Sequence, residues 1–166
     1  MKTAKLTLYK SDLLHDIAEI AYVSGDVMGG ENINSKQQLQ DITQKGNVNR
    51  INRVLDMAWS KCLKVLYPYV KESLTENVEY DNSYDDDSTK YEVTLKLSEN
   101  ISVTTVQELT LLVNEYMTAK ALQDWMSIVD RERMIVWQEK AESSIDEIRK
   151  SLQGRIKPIR RKMTPF

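Results

Sequence analysis

The chain has 166 residues, and its 23 basic and 25 acidic side chains leave a formal net charge of −2 at pH 7. The near balance argues against a protein whose whole surface is built to hold nucleic acid, while the length suffices for one domain with its own hydrophobic core. One cysteine excludes an internal disulfide, and the absence of a membrane span or an apolar signal-peptide core predicts a protein of a cytoplasm, or of a particle assembled there.

Residues 4–9 alternate weakly in polarity, which predicts either a short strand or an extended arm. Ser11 and Asp12 then offer N-cap oxygens to a helix that a glycine pair at 29–30 should end. The inner face of this helix is assigned to positions at helical spacing: Leu13, Leu14, Ile17, Ile20, Ala21, Ser24, Val27 and Met28. His15, the only histidine, lies among polar residues, and we expect it to be solvated.

Two further helices are predicted in the middle of the chain. The first is short and polar, with Asn34 and Ser35 as caps, an end near Lys45 and a stop at Gly46. The second begins at Val48, and its apolar positions step by three and four residues: Val48, Ile51, Leu55, Ala58, Cys62, Val65 and Tyr69.

Two residues of this second helix carry specific expectations. Pro68 removes the hydrogen bond to the Lys64 carbonyl, so the helix should kink or end near Tyr67. Cys62 lies inside the apolar stripe without a histidine nearby in sequence. We therefore interpret it as a small buried hydrophobe and not as a nucleophile.

An acidic segment separates this helix from a predicted strand. Residues 76–87 contain six acids: Glu76, Glu79, Asp81, Asp85, Asp86 and Asp87. Residues 91–97 then alternate between apolar and polar side chains, the pattern of a half-buried strand. Val78 and Tyr80 offer an antiparallel partner across the acidic turn, which predicts a small β-hairpin or strand element near residues 78–97.

The acidic segment partly matches the spacing of a calcium-binding loop. Asp81, Ser83, Asp85 and Glu92 place oxygen donors at positions 1, 3, 5 and 12 of an EF-hand loop. Position 6 is Asp86, where the sharp turn requires glycine, and a strand pattern follows where a helix should begin. We expect a solvated acidic loop and no metal site.

Two long helices, at 103–129 and 132–152, are predicted to organise the fold. Apolar residues cover well over half of the circumference of the first, so it should be the most buried helix, flanked by 48–67 and 132–152. The second helix has one apolar stripe: Met134, Trp137, Ala141, Ile145, Ile148 and Leu152. Trp137 is therefore expected to be a core residue.

Capping signals bound both long helices. Ser102 or Thr104 should cap the first, Asp130 should cap the second, and Gly154 should end it. These boundaries predict one helical domain over residues 1–153, with the acidic loop or hairpin at 76–98 inside it. Its class is mainly α, a helical bundle of about four to five helices with the small β element.

The segment 154–166 has a different composition from the rest of the chain. It carries no acid, and its two prolines, Pro158 and Pro165, prevent a regular helix. The candidate interaction residues are five basic side chains and four apolar anchors: Arg155, Lys157, Arg160, Arg161 and Lys162, with Ile156, Ile159, Met163 and Phe166. Such a segment is an extended arm that docks on a neighbouring subunit, a phosphate-seeking arm, or an unstructured end.

The sequence shows no catalytic arrangement. It contains no glycine-rich phosphate loop, no zinc-ligand spacing and no G-x-S-x-G turn after a strand. Carboxylate pairs on helices are abundant, but each is explained as well by a pair of ordinary charged surface residues as by an acid–base pair of an enzyme. We expect no catalytic residues, no cofactor and no enzymatic activity.

Two stretches, YMTAKALQDWM at 116–126 and WQEKAESSIDEIRKSL at 137–152, carry a family resemblance. With the helix from Ile51 to Pro68 and the basic end, they resemble the small helical head-to-tail connector proteins of tailed bacteriophages. Residues 1–49 are outside this resemblance. It implies a virion protein that forms a ring under the portal, continues the DNA channel without sequence-specific contacts, and gives tail or neck proteins a platform.

Other interpretations of the sequence remain. A helical nucleic-acid-binding or regulatory protein would use the basic segment 154–166 on phosphates, with an affinity that falls steeply with salt. A small phage-encoded enzyme is a weaker alternative. The acids Asp85, Asp86 and Asp87 and the basic segment also suit a head-to-tail contact between identical subunits, which closes into a ring when the rotation allows it.

Overall fold

The computed structural model describes residues 2–27, 33–70, 88–99 and 101–153. In chain order its elements are β1 (Lys2–Tyr9), α1 (Lys10–Val27), α2 (Ile33–Gln40), a 3₁₀ turn (Asp41–Thr43), α3 (Val48–Leu66), a second 3₁₀ turn (Tyr67–Tyr69), β2 (Lys90–Leu97), α4 (Val103–Val129) and α5 (Arg131–Leu152). The described part of the chain is mainly helical, with five α-helices and a two-stranded sheet, which confirms the predicted fold class.

Side-chain caps start the two long helices. The Ser102 hydroxyl accepts a hydrogen bond from the Thr105 backbone N–H at 3.2 Å. The Asp130 carboxylate accepts from the backbone N–H groups of Glu132, at 3.0 Å, and Arg133, at 3.4 Å. Each cap satisfies donors that the first helical turn leaves without an internal partner. The predicted starts of these two helices are confirmed.

Two boundaries of the shorter helices differ from the prediction. α1 begins at Lys10, directly after β1, so Ser11 and Asp12 lie inside its first turn and not at the N-cap position, and the Lys10 backbone N–H donates to the Thr89 carbonyl at 3.0 Å. α2 ends at Gln40, and the chain tightens into the 3₁₀ turn before Lys45 is reached. The glycine stops predicted at 29–30 and at 154 lie outside the described residues.

The proline ends α3 as its chemistry requires. The α-helix stops at Leu66, and the chain tightens into the Tyr67–Tyr69 turn that contains Pro68. Because proline has no backbone N–H, it cannot make the α-helical hydrogen bond to the carbonyl four residues earlier. The predicted end near residue 67 is confirmed.

The N-terminal strand β1 is a partner of β2. β2 pairs with β1 in antiparallel fashion along its whole length. Val78 and Tyr80, the predicted partner positions, lie outside the described residues, so their pairing with β2 stays a prediction. Leu6 lies opposite Val93 in this register and both are buried, so the pairing joins two apolar faces over the helices.

Helix α4 is the centre of the core. It buries more residues than any other described element: Leu109, Leu112, Val113, Tyr116, Met117, Thr118, Ala119, Ala121, Leu122, Trp125 and Met126. α5 packs along it, and α1, α2, α3 and β1 also contact it. The prediction that 103–129 is the most buried helix is confirmed, and the N-terminal third of the chain joins α3 and α5 as its cover.

The tryptophans of α4 and α5 differ in burial. The Trp125 side chain is buried, and its indole Nε1 donates a hydrogen bond to the Gln38 backbone oxygen at 3.2 Å. Trp137 is only half-buried and lines an open groove beside Ile20 and Lys140. Trp137 is therefore less buried than the prediction of a core residue implies. The reason is that α5 lies at the periphery and its stripe is covered mainly by α4.

This difference predicts unequal mutational costs. Trp125→Ala should lower the free energy of unfolding by about 3 to 5 kcal/mol, since it opens a cavity and removes the donor to the Gln38 carbonyl. Trp137→Ala should cost less, because part of its indole is already in water. Urea unfolding followed by far-UV circular dichroism measures both. Equal losses in the two variants would contradict the burial difference.

Candidate interaction surfaces

The sequence-predicted interaction residues lie outside the described residues. They are Asp85, Asp86 and Asp87 of the acidic segment, and Arg155, Ile156, Lys157, Ile159, Arg160, Arg161, Lys162, Met163 and Phe166 of the C-terminal segment. Their roles stay predictions. The described residues form two other charged surfaces, one on α1 and one on α3.

The outer face of α1 is acidic. Charged and apolar side chains recur along it at steps of four and three residues, and together they form the acidic flank: Asp12, Asp16, Glu19, Val23 and Asp26. The helix as a whole carries four carboxylates against one lysine, a formal charge of −3. Val23 is 60% exposed in the middle of this stripe. The same face therefore combines negative charge with an apolar side chain in water.

A groove runs from the acidic flank to α5. Its volume is about 240 Å³, and Ile20 and Trp137 form the apolar part of its lining. Asp16 accepts a hydrogen bond from the Asn114 side-chain amide at 3.2 Å, which connects α1 to α4. The Arg133 guanidinium donates to the Ser24 backbone oxygen at 3.0 Å and connects α5 to α1.

The outer face of α3 is basic. Its stripe also steps by three and four residues, and together these residues form the basic flank: Arg50, Arg53, Met57, Lys61 and Lys64. Four cations against Asp56 give the helix a formal charge of +3. Met57 is 64% exposed in the middle of this stripe. Among described residues, neither Lys61 nor Lys64 has a carboxylate partner.

A second groove, of about 260 Å³, lies between the basic flank, α4 and the start of α5. Lys120 lines it and donates a hydrogen bond to the Gln123 side chain at 2.9 Å. Burial lowers the pKa of Lys120, and the positive charge of Lys61 lowers it further. Lys61 and Lys120 both line this groove, together with the carboxylate of Asp124.

The two flanks lie on opposite sides of α4. Asn114, Glu115 and Thr118 line the groove beside α1, whereas Lys120, Gln123 and Asp124 line the groove beside α3. An α-helix turns by about 100° per residue, so these two sets point in roughly opposite directions. One subunit therefore presents a negative face on one side and a positive face on the other.

The described residues do not assemble a metal site. No group of three or more side chains of the metal-ligating types comes together within the parts of the chain that the structure describes. Of the calcium-loop spacing, Asp81, Ser83 and Asp85 lie outside those parts. Glu92 lies on β2 and forms ion pairs with Lys5 at 2.9 Å and Lys90 at 2.6 Å.

The same two lysines set the ionisation of Glu92. Hydrogen bonds from Lys90 and Lys5 lower the pKa of the Glu92 carboxyl. The carboxylate is therefore charged at neutral pH, and its ion pair with Lys5 joins the two strands at the exposed surface of the sheet.

His15 and Cys62, two residues with potential reactivity, lie in the environments that the sequence predicts, the first exposed and the second buried. The His15 side chain is 72% exposed, and its Nε2 lies 3.4 Å from a Glu19 carboxylate oxygen. Cys62 is fully buried, as expected, and burial raises the pKa of its thiol to about 12. None of the described helices combines the length and apolar character needed to cross a bilayer.

Comparisons with models of protein families, with curated proteins and with solved structures find no match to this chain. Two features of the molecule bear on its function. These are the distribution of charge over the described surface and the grooves that border the two charged flanks.

The buried thiol gives a direct test of the packing around α3. At pH 8 a thiol with a pKa of about 12 is ionised in about one molecule in ten thousand, so Cys62 should react with a disulfide reagent only when the protein unfolds. Thiol labelling followed by absorbance should be slow in buffer and fast in concentrated urea. Rapid labelling in buffer would contradict the burial of Cys62.

Proposed function

We propose that the protein is a non-enzymatic structural subunit that forms a ring between the portal and the tail of a tailed bacteriophage. The observation that carries the proposal is the opposite charge of the acidic and basic flanks on the two sides of one subunit. A heterologous contact between unlike faces generates a closed ring when the rotation per subunit divides a full turn. The connector-like helices supply the biological setting.

The helices that carry the resemblance form the middle of the described fold. α3 and α5 both pack on α4. Residues 1–49, which the resemblance does not cover, contribute β1, α1 and α2 and thus the whole acidic flank. In this proposal the connector pattern provides the frame, and the N-terminal third provides one half of the subunit contact.

The partners follow from the proposed position. A ring at this place meets the portal on one side and tail or neck proteins on the other, and DNA passes through its channel without sequence-specific contacts. The location is the virion, assembled in the bacterial cytoplasm. No membrane partner, cofactor or metal belongs to the proposal.

Electron microscopy of the assembly tests the function. The purified protein, imaged by negative staining alone and together with the products of its neighbouring genes, should form rings or cap a portal ring. Sedimentation at low ionic strength should show oligomers that dissociate as added salt screens the opposed flanks. A chain that stays monomeric at high concentration in low salt, and that binds neither portal nor tail proteins, would contradict the proposal.

The C-terminal segment should act in assembly and not in folding. A chain that ends after Gln153 should keep its helix content and melting temperature, because every helix of the described core ends at or before Leu152. We expect the same truncation to abolish ring formation or attachment to a neighbouring connector. Normal assembly of the truncated chain, or its failure to fold, would contradict the proposed role of this segment in assembly.

A nucleic-acid-binding role of the same segment predicts a different result. Replacing Arg160, Arg161 and Lys162 by glutamine would then lower DNA affinity and reduce the salt dependence of binding together. A structural arm loses ring assembly in this variant, while its weak DNA binding stays nearly unchanged. Fluorescence anisotropy with a labelled duplex at several salt concentrations distinguishes the two roles.

A further inference from the structure

We infer that a second copy of this chain docks antiparallel on the first, with the basic flank of α3 lying along the acidic flank of α1 and Met57 contacting Val23. The inference rests on the proposed ring and specifies the contact between its subunits. The contact involves only residues that the structure describes, and it is independent of the acidic segment 76–87 and of the C-terminal segment.

The spacing of the two stripes matches in the antiparallel direction. From Met57, the lysines of the basic flank follow at plus four and plus seven residues, as Lys61 and Lys64. From Val23, the carboxylates of the acidic flank precede at minus four and minus seven, as Glu19 and Asp16. With a rise of about 1.5 Å per residue, the two members of each charge pair lie at the same distance along the helix axis from the apolar contact. This distance is about 6 Å for Lys61 and Glu19 and about 10 Å for Lys64 and Asp16.

The internal ion pair of Arg50 favours the antiparallel direction over the parallel one, whereas the hydrogen bond that Asp16 accepts from Asn114 is the same for both directions. A parallel arrangement would place Glu19 opposite Arg53 and Asp16 opposite Arg50, but Arg50 already binds Asp124 at 2.8 Å. The antiparallel register instead brings these carboxylates to Lys61 and Lys64. At the other end of the acidic flank, Asp26 forms an ion pair with Lys36 at 2.6 Å. The proposed contact does not involve Asp26.

The apolar centre of each stripe supports the same register. Val23 and Met57 each expose more than half of their side chains, although each is surrounded by charged residues on its own helix face. An apolar contact at the centre of an interface excludes water from the ion pairs around it, which strengthens them. Methionine also adapts its unbranched side chain to a partner surface.

The geometry of the subunit favours a second copy as the occupant. The acidic and basic flanks lie on opposite sides of α4, so they cannot meet within one chain. Each copy consequently offers an exposed acidic flank to one neighbour and an exposed basic flank to another. Because the contact joins unlike surfaces, it propagates from subunit to subunit, as ring closure requires.

Charge reversal across the contact tests the pairing. Glu19→Lys or Lys61→Glu should each weaken self-association about tenfold, because like charges then face each other, and the double variant should regain wild-type association within about threefold. Sedimentation velocity at low ionic strength measures this. Glu139→Lys and Lys150→Glu are matched controls, because both residues are exposed on the face of α5 that points away from α4. These two should associate like wild type.

Mixing the single variants adds a test in trans. The Glu19→Lys chain has a weakened acidic flank and the Lys61→Glu chain a weakened basic flank, so each should associate poorly alone. In an equimolar mixture the reversed charge at position 19 of one chain faces the reversed charge at position 61 of the other, and association should be restored at that contact. A mixture that behaves like the separate chains would overturn the inference.

Disulfide trapping tests the register itself. A chain with Val23→Cys and Met57→Cys should give a ladder of covalent oligomers on mild oxidation, because the two positions lie in contact in the antiparallel register. The pair Asp16→Cys and Met57→Cys, about 10 Å apart in that register, should not. Cys62 is buried and should not compete. Equal ladders from the two pairs would overturn the register.

The outcomes separate this inference from the proposed function. If the wild-type chain forms rings and the charge-reversal variants assemble as well as it does, the antiparallel contact is wrong and the ring proposal stands. If the wild-type chain stays monomeric at low salt, the contact is also wrong. Failure to bind portal or tail proteins as well would then remove the ring proposal.

Discussion

The structure depends on the need to enclose α4. Its apolar residues extend around most of the helix, so a single partner helix cannot keep them from water. α5 covers one side, and α1, α2, α3 and β1 cover others. The hydrophobic contribution grows with the apolar area removed from water, and the burial of this long helix therefore contributes more to stability than any single polar contact of the described fold.

The packing of helices around α4 also determines the directions in which the charged faces point. Because α1 and α3 both turn their apolar stripes toward α4, their charged faces point outward in different directions. α1 carries its acids on one side, where Asp16 also accepts a hydrogen bond from Asn114, and α3 carries its basic residues on the other. A subunit with one negative and one positive face is suited to bind copies of itself in sequence, which connects the packing of the core with the proposed ring.

The sequence and the structure disagree where long-range packing decides. Alternation at 91–97 predicts the strand correctly, but it only indicates that one face is buried and does not identify the partner strand. The N-terminal strand pairs with β2, and its Leu6 and Leu8 add two buried side chains to the core. Trp137 fits the apolar stripe of α5, yet its depth depends on how closely α1 approaches, and the groove there leaves it half-exposed.

By itself the sequence determined the long helices, their capped starts and the burial of Cys62, because these follow from local chemistry and periodicity. The caps at Ser102 and Asp130 and the stop at Pro68 act within a few residues of the chain. Only the tertiary structure decided which strand pairs with β2 and on which side each charged face lies. The stripes of acids on α1 and of bases on α3 are visible in the sequence, but their opposition arises from packing two distant helices on opposite sides of α4.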